Sequence, residues 1–292
     1  MPDREALASC VRIAQRLPVM TDRYALIGNP VAESIAPLIH NELARLTGQD
    51  LVYERLLAPL EGFAATAERF ANEGGLGLNV APPFKLEAFA LAHDLSPRAR
   101  RAGLVDTLKR EAGRWYGDNT DGTGLVNALS RRHGVRIERC HVLILGAGVA
   151  ARAIIGPLLL AHPRSLTVAN RRVDKALRIA EHFADLATIG AASYAGLKDR
   201  RFDLVIDATS FGVGEEGDTR WPAGVFAPGA FAYDMTHDET PTPFLRFAIA
   251  QGVDGFADGL SMLVEQAAES LLVWRGARVD TTRVYGVLRP GR

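Results

Sequence analysis

A glycine-rich turn follows a short apolar run near the middle of the chain. The turn matches the pattern G-x-G-x-x-G/A and consists of Gly146, Ala147, Gly148, Val149, Ala150 and Ala151. In this pattern the first glycine permits a tight bend, the second lets the backbone approach a pyrophosphate, and the small last residue allows a helix to pack closely on a strand. Unpaired amides at the start of that helix bind the phosphates. We predict a dinucleotide site here, although the six residues alone would also fit a simple turn.

A basic segment follows the next predicted strand, residues 166–170. Here Asn170, Arg171 and Arg172 appear, with Lys175 close behind. An NAD-binding unit places an acidic residue at this position for the ribose 2′-hydroxyl, whereas arginine binds a 2′-phosphate. The segment therefore favours NADP(H) as the cofactor, and a solvated helix start is the alternative.

A lysine and an aspartate in the first half of the chain could move a proton. Lys85 ends the segment 79–85, just after a predicted strand, and Asp121 lies in the glycine-bounded segment 117–122, at the expected domain junction. Hydride transfer to a carbonyl leaves an alkoxide that must be protonated, so a lysine held by a carboxylate suits this chemistry. We predict Lys85 and Asp121 as a catalytic pair, with a surface salt bridge as the alternative.

The elements that must position these residues alternate between strand and helix. In the first half, apolar runs predict strands at 24–27, 51–57 and 76–80 and helices at 37–46, 62–72 and 85–93. In the second half they predict strands at 142–146, 166–170, 203–208 and 231–235, with helices at 149–161, 172–184 and 242–251. This rhythm indicates an α/β protein whose second half is a Rossmann-type, doubly wound parallel sheet. A last apolar helix is predicted at about 260–275.

Length and composition limit the domain organisation, the partners and the cellular compartment that the sequence can have. A chain of 292 residues predicts two domains, which we place at 1–120, completed by 259–292, for substrate binding and at 121–258 for NADP binding. Lys plus Arg and Asp plus Glu both total 34, so no overall field attracts nucleic acid or a membrane. Two distant cysteines, Cys10 and Cys140, argue against a disulfide scaffold or a structural zinc site. Without a signal-peptide pattern or a long apolar run, we predict a cytoplasmic protein, with monomer and homodimer both open. Residues 4–17 predict an amphipathic helix of unassigned role.

These residues and their order resemble the shikimate dehydrogenase family, from about Tyr24 almost to the C-terminus. The stretches that carry the resemblance are Gly28-Asn-Pro30 with Ser34 and Pro37, Asn79-Val80 with Pro83-Phe-Lys85, Gly117-Asp-Asn-Thr-Asp-Gly122, Gly146-Ala-Gly148, Asn170-Arg171, Ala208-Thr-Ser210, Tyr233-Asp-Met235, Thr242-Pro-Phe244 and Ala257-Asp-Gly-Leu260 with Met262-Leu-Val264 and Gln266. The resemblance implies an α/β substrate domain completed by the C-terminal helix and a Rossmann NADP domain. It also implies reversible, metal-free reduction of 3-dehydroshikimate to shikimate by NADPH.

The resemblance assigns roles position by position. Lys85 would be the general acid–base for the reacting oxygen, and Asp121 would orient it and bind a ring hydroxyl. Substrate contacts would come from Ser34, Tyr233 and Gln266. On the cofactor side, the same reasoning adds Thr209, Ser210, Met235, Gly259 and Met262 to the glycine turn and the basic segment. For Tyr233 and Gln266 a purely structural role stays open, because buried polar groups often have structural partners only.

Three substrate-side positions depart from the family pattern. The family's His-Ser-x-Ser-Pro is Glu33-Ser-Ile-Ala-Pro37 here, its Asn-Val-Thr is Asn79-Val-Ala81, and its Val-Asn-Thr is Val105-Asp-Thr107. Ala36 and Ala81 thus lack hydroxyls, and Asp106 adds a negative charge. Hydrogen bonds to charged groups contribute about 1.5–3 kcal/mol each, so losing two would weaken capture of a carboxylate by about 3–6 kcal/mol.

This departure leaves several functions open. We hypothesise altered specificity, with weak shikimate activity or a preference for a related cyclic polyol. The alternatives are ordinary use of shikimate, a substrate such as quinate or another cyclitol whose extra hydroxyl or amino group meets Asp106, and a non-catalytic dinucleotide sensor. Retention of both Lys85 and Asp121 argues against the sensor.

Overall fold

The protein is described by a computed structural model covering residues 21–209 and 221–288. The helix predicted at 4–17 and the predicted cofactor residue Ser210 lie outside these residues. None of the described helices is long and apolar enough to cross a membrane.

The first half of the chain forms a six-stranded mixed sheet with strand order β2-β1-β3-β5-β6-β4. Its strands are β1 Asp22–Gly28, β2 Leu51–Leu57, β3 Gly75–Val80, β4 Asp94–Leu95, β5 Thr107–Glu111 and β6 Arg114–Asp118. The helices between them are α1 Ala36–Thr47, α2 Phe63–Asn72, α3 Lys85–Leu91 and α4 Pro97–Ala102. Strands β1, β2 and β3 are parallel, so their carboxyl ends open at one edge.

The sequence did not predict the hairpin formed by β5 and β6. These strands pair antiparallel, with Glu111 opposite Arg114, and a two-residue turn joins them. Ala112 and Gly113 both have positive φ, 47° and 77°, as a type I′ hairpin turn requires. The hairpin extends the sheet by antiparallel pairing of β5 with β3. Asp106 immediately precedes β5, and Asn119 immediately follows β6.

The second half forms an all-parallel sheet with strand order β12-β11-β10-β7-β8-β9. Its strands are β7 His141–Leu145, β8 Ser165–Ala169, β9 Gly190–Ala192, β10 Phe202–Asp207, β11 Phe226–Asp234 and β12 Gly255–Ala257. Four helices accompany this sheet: α5 Asp121–Asn127, α6 Val149–Leu160, α7 Val173–His182 and α8 Pro243–Ala250. Helix α5 continues in a π turn, Ala128–Arg132, and a short 3₁₀ turn lies at Ala195–Leu197. This is the 3-2-1-4-5-6 order of a doubly wound sheet, and the order reverses between β7 and β10. The predicted fold class is confirmed.

The two C-terminal helices, α9 Leu260–Arg275 and α10 Thr282–Leu288, return to the first sheet. Val264 and Leu271 on α9 pack against Ile39 and Leu43 on α1 in one buried cluster. Trp274 Nε1 donates to Leu108 O at 3.0 Å, which ties α9 to β5. The two sheets lie within 22–118 and 141–257, on either side of the predicted boundary at 120/121. Helix α9 completes the first unit from the far end of the chain.

Candidate active site

The glycine turn lies where the strand order of the second sheet reverses. Gly146 follows β7 with a φ of +99°, and a Cβ there would lie 2.9 Å from Ala208 O, so the bend requires glycine. No described atom lies within 4 Å of the position a Cβ would take at Gly148. The backbone at the start of α6 is therefore open to a phosphate, which is the arrangement expected for a dinucleotide.

A pocket of about 510 Å³ extends from this turn across the ends of β7, β8 and β10. Its lining contains most of the predicted cofactor residues, together with Ala208: Gly146, Ala147, Gly148, Asn170, Arg171, Arg172, Lys175 and Thr209. The hydroxyl of Thr209 is buried and has no hydrogen-bond partner within the described part of the chain. Glycine backbone, a free hydroxyl and three cationic side chains fit the phosphates of a dinucleotide that carries a 2′-phosphate.

A second cavity, of about 320 Å³, lies between the two sheets. Ala208 and Thr209 line both cavities, so a ligand can reach from one to the other. The predicted cofactor residues Ala150, Met235, Gly259 and Met262 form its wall on the nucleotide side. The predicted substrate residues Ser34, Ala36, Ala81 and Gln266 line it together with Lys85 and Asp121. The fold thus brings the predicted cofactor residues Ala150, Met235, Gly259 and Met262 into one cavity with the predicted catalytic pair.

Lys85 and Asp121 meet in this second cavity, which we call the catalytic cavity. Lys85 Nζ donates to Asp121 Oδ2 at 2.5 Å, with side-chain exposures of 15% and 3%. Burial alone lowers the pKa of Lys85, but the charges of Asp121 and Asp106 and the hydrogen bond that Lys85 donates to Asp121 raise it above its ordinary value. The pair is therefore a desolvated ion pair at a cavity wall, which rules out the exposed salt bridge as its description.

Local sequence fixes both members of the pair. Pro82 and Pro83 end the pairing of β3 because proline has no N–H, and α3 then begins at Lys85. Asp121 is the first residue of α5, where the helix dipole favours a carboxylate. At Gly124 a Cβ would lie 2.8 Å from Gln266 N, so glycine lets α5 lie directly against α9. Close packing of α5 on α9 brings Asp121 and Gln266 to the same cavity.

Asp106 lies behind the pair and outside the lining of the catalytic cavity. It is 1% exposed, and its oxygens accept from Thr120 N, Thr120 Oγ1, Thr107 Oγ1 and Asp121 N at 2.8–3.0 Å. The structure thus places Asp106 among protein donors, and its predicted contact with substrate stays a prediction. Its charge nevertheless acts on Lys85, because it contributes to the raised pKa of that lysine.

Tyr233 also lies outside the lining of the catalytic cavity. It is 0% exposed and lies on the core side of β11. Its hydroxyl lies 3.0 Å from Ser261 Oγ and accepts from Met262 N at 3.1 Å. In this conformation Tyr233 holds the first turn of α9, which carries Met262, and makes no wall for a substrate.

The sequence did not single out a polar wall formed by His40, Tyr53 and Asn79. The rings of His40 and Tyr53 stack at 3.9 Å, and Tyr53 Oη donates to Asn79 Oδ1 at 2.8 Å. Burial lowers the pKa of His40 to about 3, so this ring is neutral. A histidine within the apolar face of α1 was the signal that could have pointed to this wall.

The serine loop is held in place by backbone contacts. Ser34 Oγ accepts from Ala36 N at 3.2 Å, and the Arg55 guanidinium donates twice to Ser34 O. Ala36 and Ala81 present only methyl groups to the cavity. Among the described residues that line the cavity, Lys85 is the one with a cationic side chain, and it is paired.

Comparison with known proteins decides the family. Residues 26–108 match the shikimate dehydrogenase substrate binding domain, and residues 128–212 match shikimate / quinate 5-dehydrogenase. The chain is 51% identical over 272 residues to the NADP(+) shikimate dehydrogenase of Aromatoleum aromaticum, covering 92% of this chain and 97% of that protein. The chain belongs to the shikimate dehydrogenase family. The predicted family and the predicted enzyme class, an NADP-dependent oxidoreductase, are confirmed.

Solved structures give the same assignment. An Ael1 enzyme from Pseudomonas putida is 40% identical with a TM-score of 0.84, covering 91% of this chain and 98% of that one. Shikimate 5-dehydrogenase from Thermus thermophilus, in complex with NADP(H) and shikimate, is 31% identical with a TM-score of 0.79, covering 89% and 96%. The 5-ketofructose reductase of a Gluconobacter strain is 28% identical with a TM-score of 0.78, covering 90% and 96%.

Proposed function

We propose that this shikimate dehydrogenase family member catalyses the reversible, NADP-linked interconversion of a ring ketone and its alcohol, with 3-dehydroshikimate and shikimate as the leading pair. The observation that carries the proposal is the ion pair of Lys85 and Asp121 at 2.5 Å, in a cavity that shares Ala208 and Thr209 with the nucleotide pocket. Curated relatives that are about half identical over nearly the whole chain have this activity by name.

The side chains assign the steps of the reaction. Bound NADPH supplies the hydride to the carbonyl carbon. Lys85 gives its Nζ proton to the carbonyl oxygen, so a C–H and an O–H bond form as the C=O double bond becomes single and Lys85 becomes neutral. Asp121 orients Nζ and, as a carboxylate, can accept a hydrogen bond from a neighbouring ring hydroxyl. In the oxidation direction neutral Lys85 takes the hydroxyl proton back.

A second candidate is an uncharged polyhydroxy ketone of similar size. The methyl groups of Ala36 and Ala81 line the catalytic cavity, and the one cationic side chain among its described lining residues is already paired with Asp121. An anionic substrate therefore meets few free donors there, whereas hydroxyl groups can bond to Ser34 and Gln266. A fold neighbour named for reduction of a ketosugar is consistent with this candidate.

A substrate panel separates the two candidates. Purified protein with NADP+ would be offered shikimate, quinate and a neutral cyclitol, and NADPH formation would be followed by its absorbance. Turnover of shikimate with the highest kcat/KM supports the leading proposal, and a higher kcat/KM for the neutral polyol supports the second. No turnover with any of them, in protein that binds NADP+, contradicts both.

The basic pocket wall predicts a preference for NADP+ over NAD+. Removing the guanidinium in Arg171→Ala should lower kcat/KM for NADP+ by about tenfold to a hundredfold, because a charged hydrogen bond contributes about 1.5–3 kcal/mol. The value for NAD+, which has no 2′-phosphate, should barely change. Arg178→Ala is the matched control, because Arg178 bonds to Asp174 at 2.6 Å and lies outside this pocket lining. An equal loss for both nucleotides would contradict the assignment.

A further inference from the structure

Asp106 is a buried carboxylate that the proposed reaction does not use directly. Four donors surround it, and two of them, Thr120 N and Asp121 N, are backbone groups of the turn that carries Asp121. On the other side, Val105 N donates to Lys85 O at 3.0 Å. The segment 105–106 therefore contacts the backbone at both members of the catalytic pair.

The donors around Asp106 favour its ionised form. Backbone N–H groups can only donate, and a carboxylate with two or three such bonds is stabilised as an anion. Burial and the charge of Asp121 act in the opposite direction and raise the pKa of Asp106 to about 7.

The charged groups that act on Asp106 come from three elements. Asp121 on α5 opposes its ionisation and Lys85 on α3 favours it. Arg98 on α4 also feels its charge, and this arginine is paired with Asp118 and Glu269. The remaining neighbours, Thr107, Thr120 and Ser270, are neutral hydroxyls. Among the described groups around the pair, Asp106 is thus the second negative charge that acts on Lys85.

We propose that Asp106 is a positioning residue that fixes the turn bearing Asp121. As a second carboxylate behind the ion pair, it also holds the proton on Lys85 and sets the pH range in which that lysine can accept a proton. This rests on the proposed function, in which Lys85 moves the proton. Because oxidation needs neutral Lys85 and reduction needs charged Lys85, Asp106 favours the reduction direction at neutral pH.

The first test is the pH profile of kcat for alcohol oxidation, with whichever alcohol of the panel is turned over. In Asp106→Asn, the part of the pH profile that reports loss of the Lys85 proton should move to lower pH by about one unit or more. This is the usual effect of removing one nearby negative charge. The value of kcat should also fall, since an amide presents N–H to one of the backbone donors. Asp118→Asn is the control, because that buried carboxylate lies close in sequence but bonds to Arg98 and Ser96. A lower kcat with this part of the profile unmoved would overturn the proposal.

The second test needs neither substrate nor turnover. In protein labelled with ¹³C at the aspartate carboxyls, a carboxyl resonance that titrates near neutral pH should disappear in Asp106→Asn, while the one expected from Asp207, whose pKa burial also raises to about 7, should remain. Thr107→Val, which removes one donor but leaves both backbone N–H groups, should move the Asp106 midpoint upward. This variant keeps the test available if Asp106→Asn fails to fold.

Failure of the Asp106 proposal and failure of the proposed function give different experimental results. If the Asp106 resonance is that of a protonated carboxyl throughout the range from about pH 6 to 8, the shared-charge role is wrong, whatever the enzyme does. If the resonance titrates as expected but the protein binds NADP+ and turns over none of the panel substrates, the proposed function is wrong instead.

Discussion

Replacing Lys85 by alanine is expected to lower kcat for the preferred substrate by about 10²–10⁴-fold, the contribution usual for a positioned general acid–base. The expectation follows from the geometry, because Lys85 is the one cationic side chain among the described residues that line the catalytic cavity. Initial rates of NADPH formation, with substrate and NADP+ both saturating, measure the change. The KM for NADP+ should change little, since the nucleotide pocket lies mostly on the other sheet.

This variant leaves Asp121 buried without its partner, so folding must be monitored. Losing one member of a buried ion pair can cost about 3–5 kcal/mol of stability. Nucleotide binding and the thermal midpoint of the variant therefore accompany the rates. Lys109→Ala is the matched control, because Lys109 pairs with Glu111 on the hairpin and lies outside the cavity. A folded Lys85→Ala protein with unchanged kcat would remove Lys85 from the reaction.

Adding back two hydroxyl groups is expected to have the second largest effect. In the double variant Ala36→Ser with Ala81→Thr, kcat/KM for shikimate should rise by about a hundredfold or more. Each new bond to a carboxylate contributes about 1.5–3 kcal/mol, and about 1.4 kcal/mol corresponds to a factor of ten. Both alanines line the catalytic cavity, so the added hydroxyls would face the substrate. Steady-state kinetics on the double variant and on each single variant measure the gain.

The comparison substrate is a neutral cyclitol, for which the gain should be much smaller because it has no carboxylate. Val52→Ala is a control on the exposed edge strand β2, where no change in kcat/KM is expected. If the double variant used shikimate no better than the parent protein, the missing hydroxyls would not limit capture of the carboxylate. Ordinary use of shikimate by the parent would then be the better account.

The strongly patterned elements could be predicted from the sequence. Strand β2 was predicted at 51–57, as observed, and the βαβ rhythm of the second half gave the doubly wound sheet, because buried parallel strands appear as continuous apolar runs. The β5–β6 hairpin was missed because its strands are short and partly exposed, and they carry Lys109, Arg110, Glu111 and Arg114. Its turn, Ala-Gly, is a weaker signal than Asn-Gly or Asp-Gly.

The residue types of the site could be predicted from the sequence, but the partner that each side chain contacts could be predicted less well. Lys85 and Asp121 come from different segments, and their residue types suggested a pair that the resemblance to the shikimate dehydrogenase family then supported. Tyr233 and Asp106 lie outside the cavity lining, which the sequence could not show because it does not reveal which partner a side chain finds. Ser261 lies within reach of Tyr233 Oη, and the Thr120 turn supplies donors to Asp106. Both satisfy their hydrogen bonds inside the protein.

The most direct measurement of the central claim is transfer of a labelled hydride. Shikimate carrying deuterium on the carbinol carbon that becomes the ketone would be incubated with the protein and NADP+, and the NADPH analysed by mass spectrometry. We expect one deuterium in each NADPH formed, with the transfer lost in Lys85→Ala. NADPH that contains no deuterium, or protein that binds NADP+ and forms no NADPH from shikimate or from a deuterated neutral cyclitol, would contradict the account.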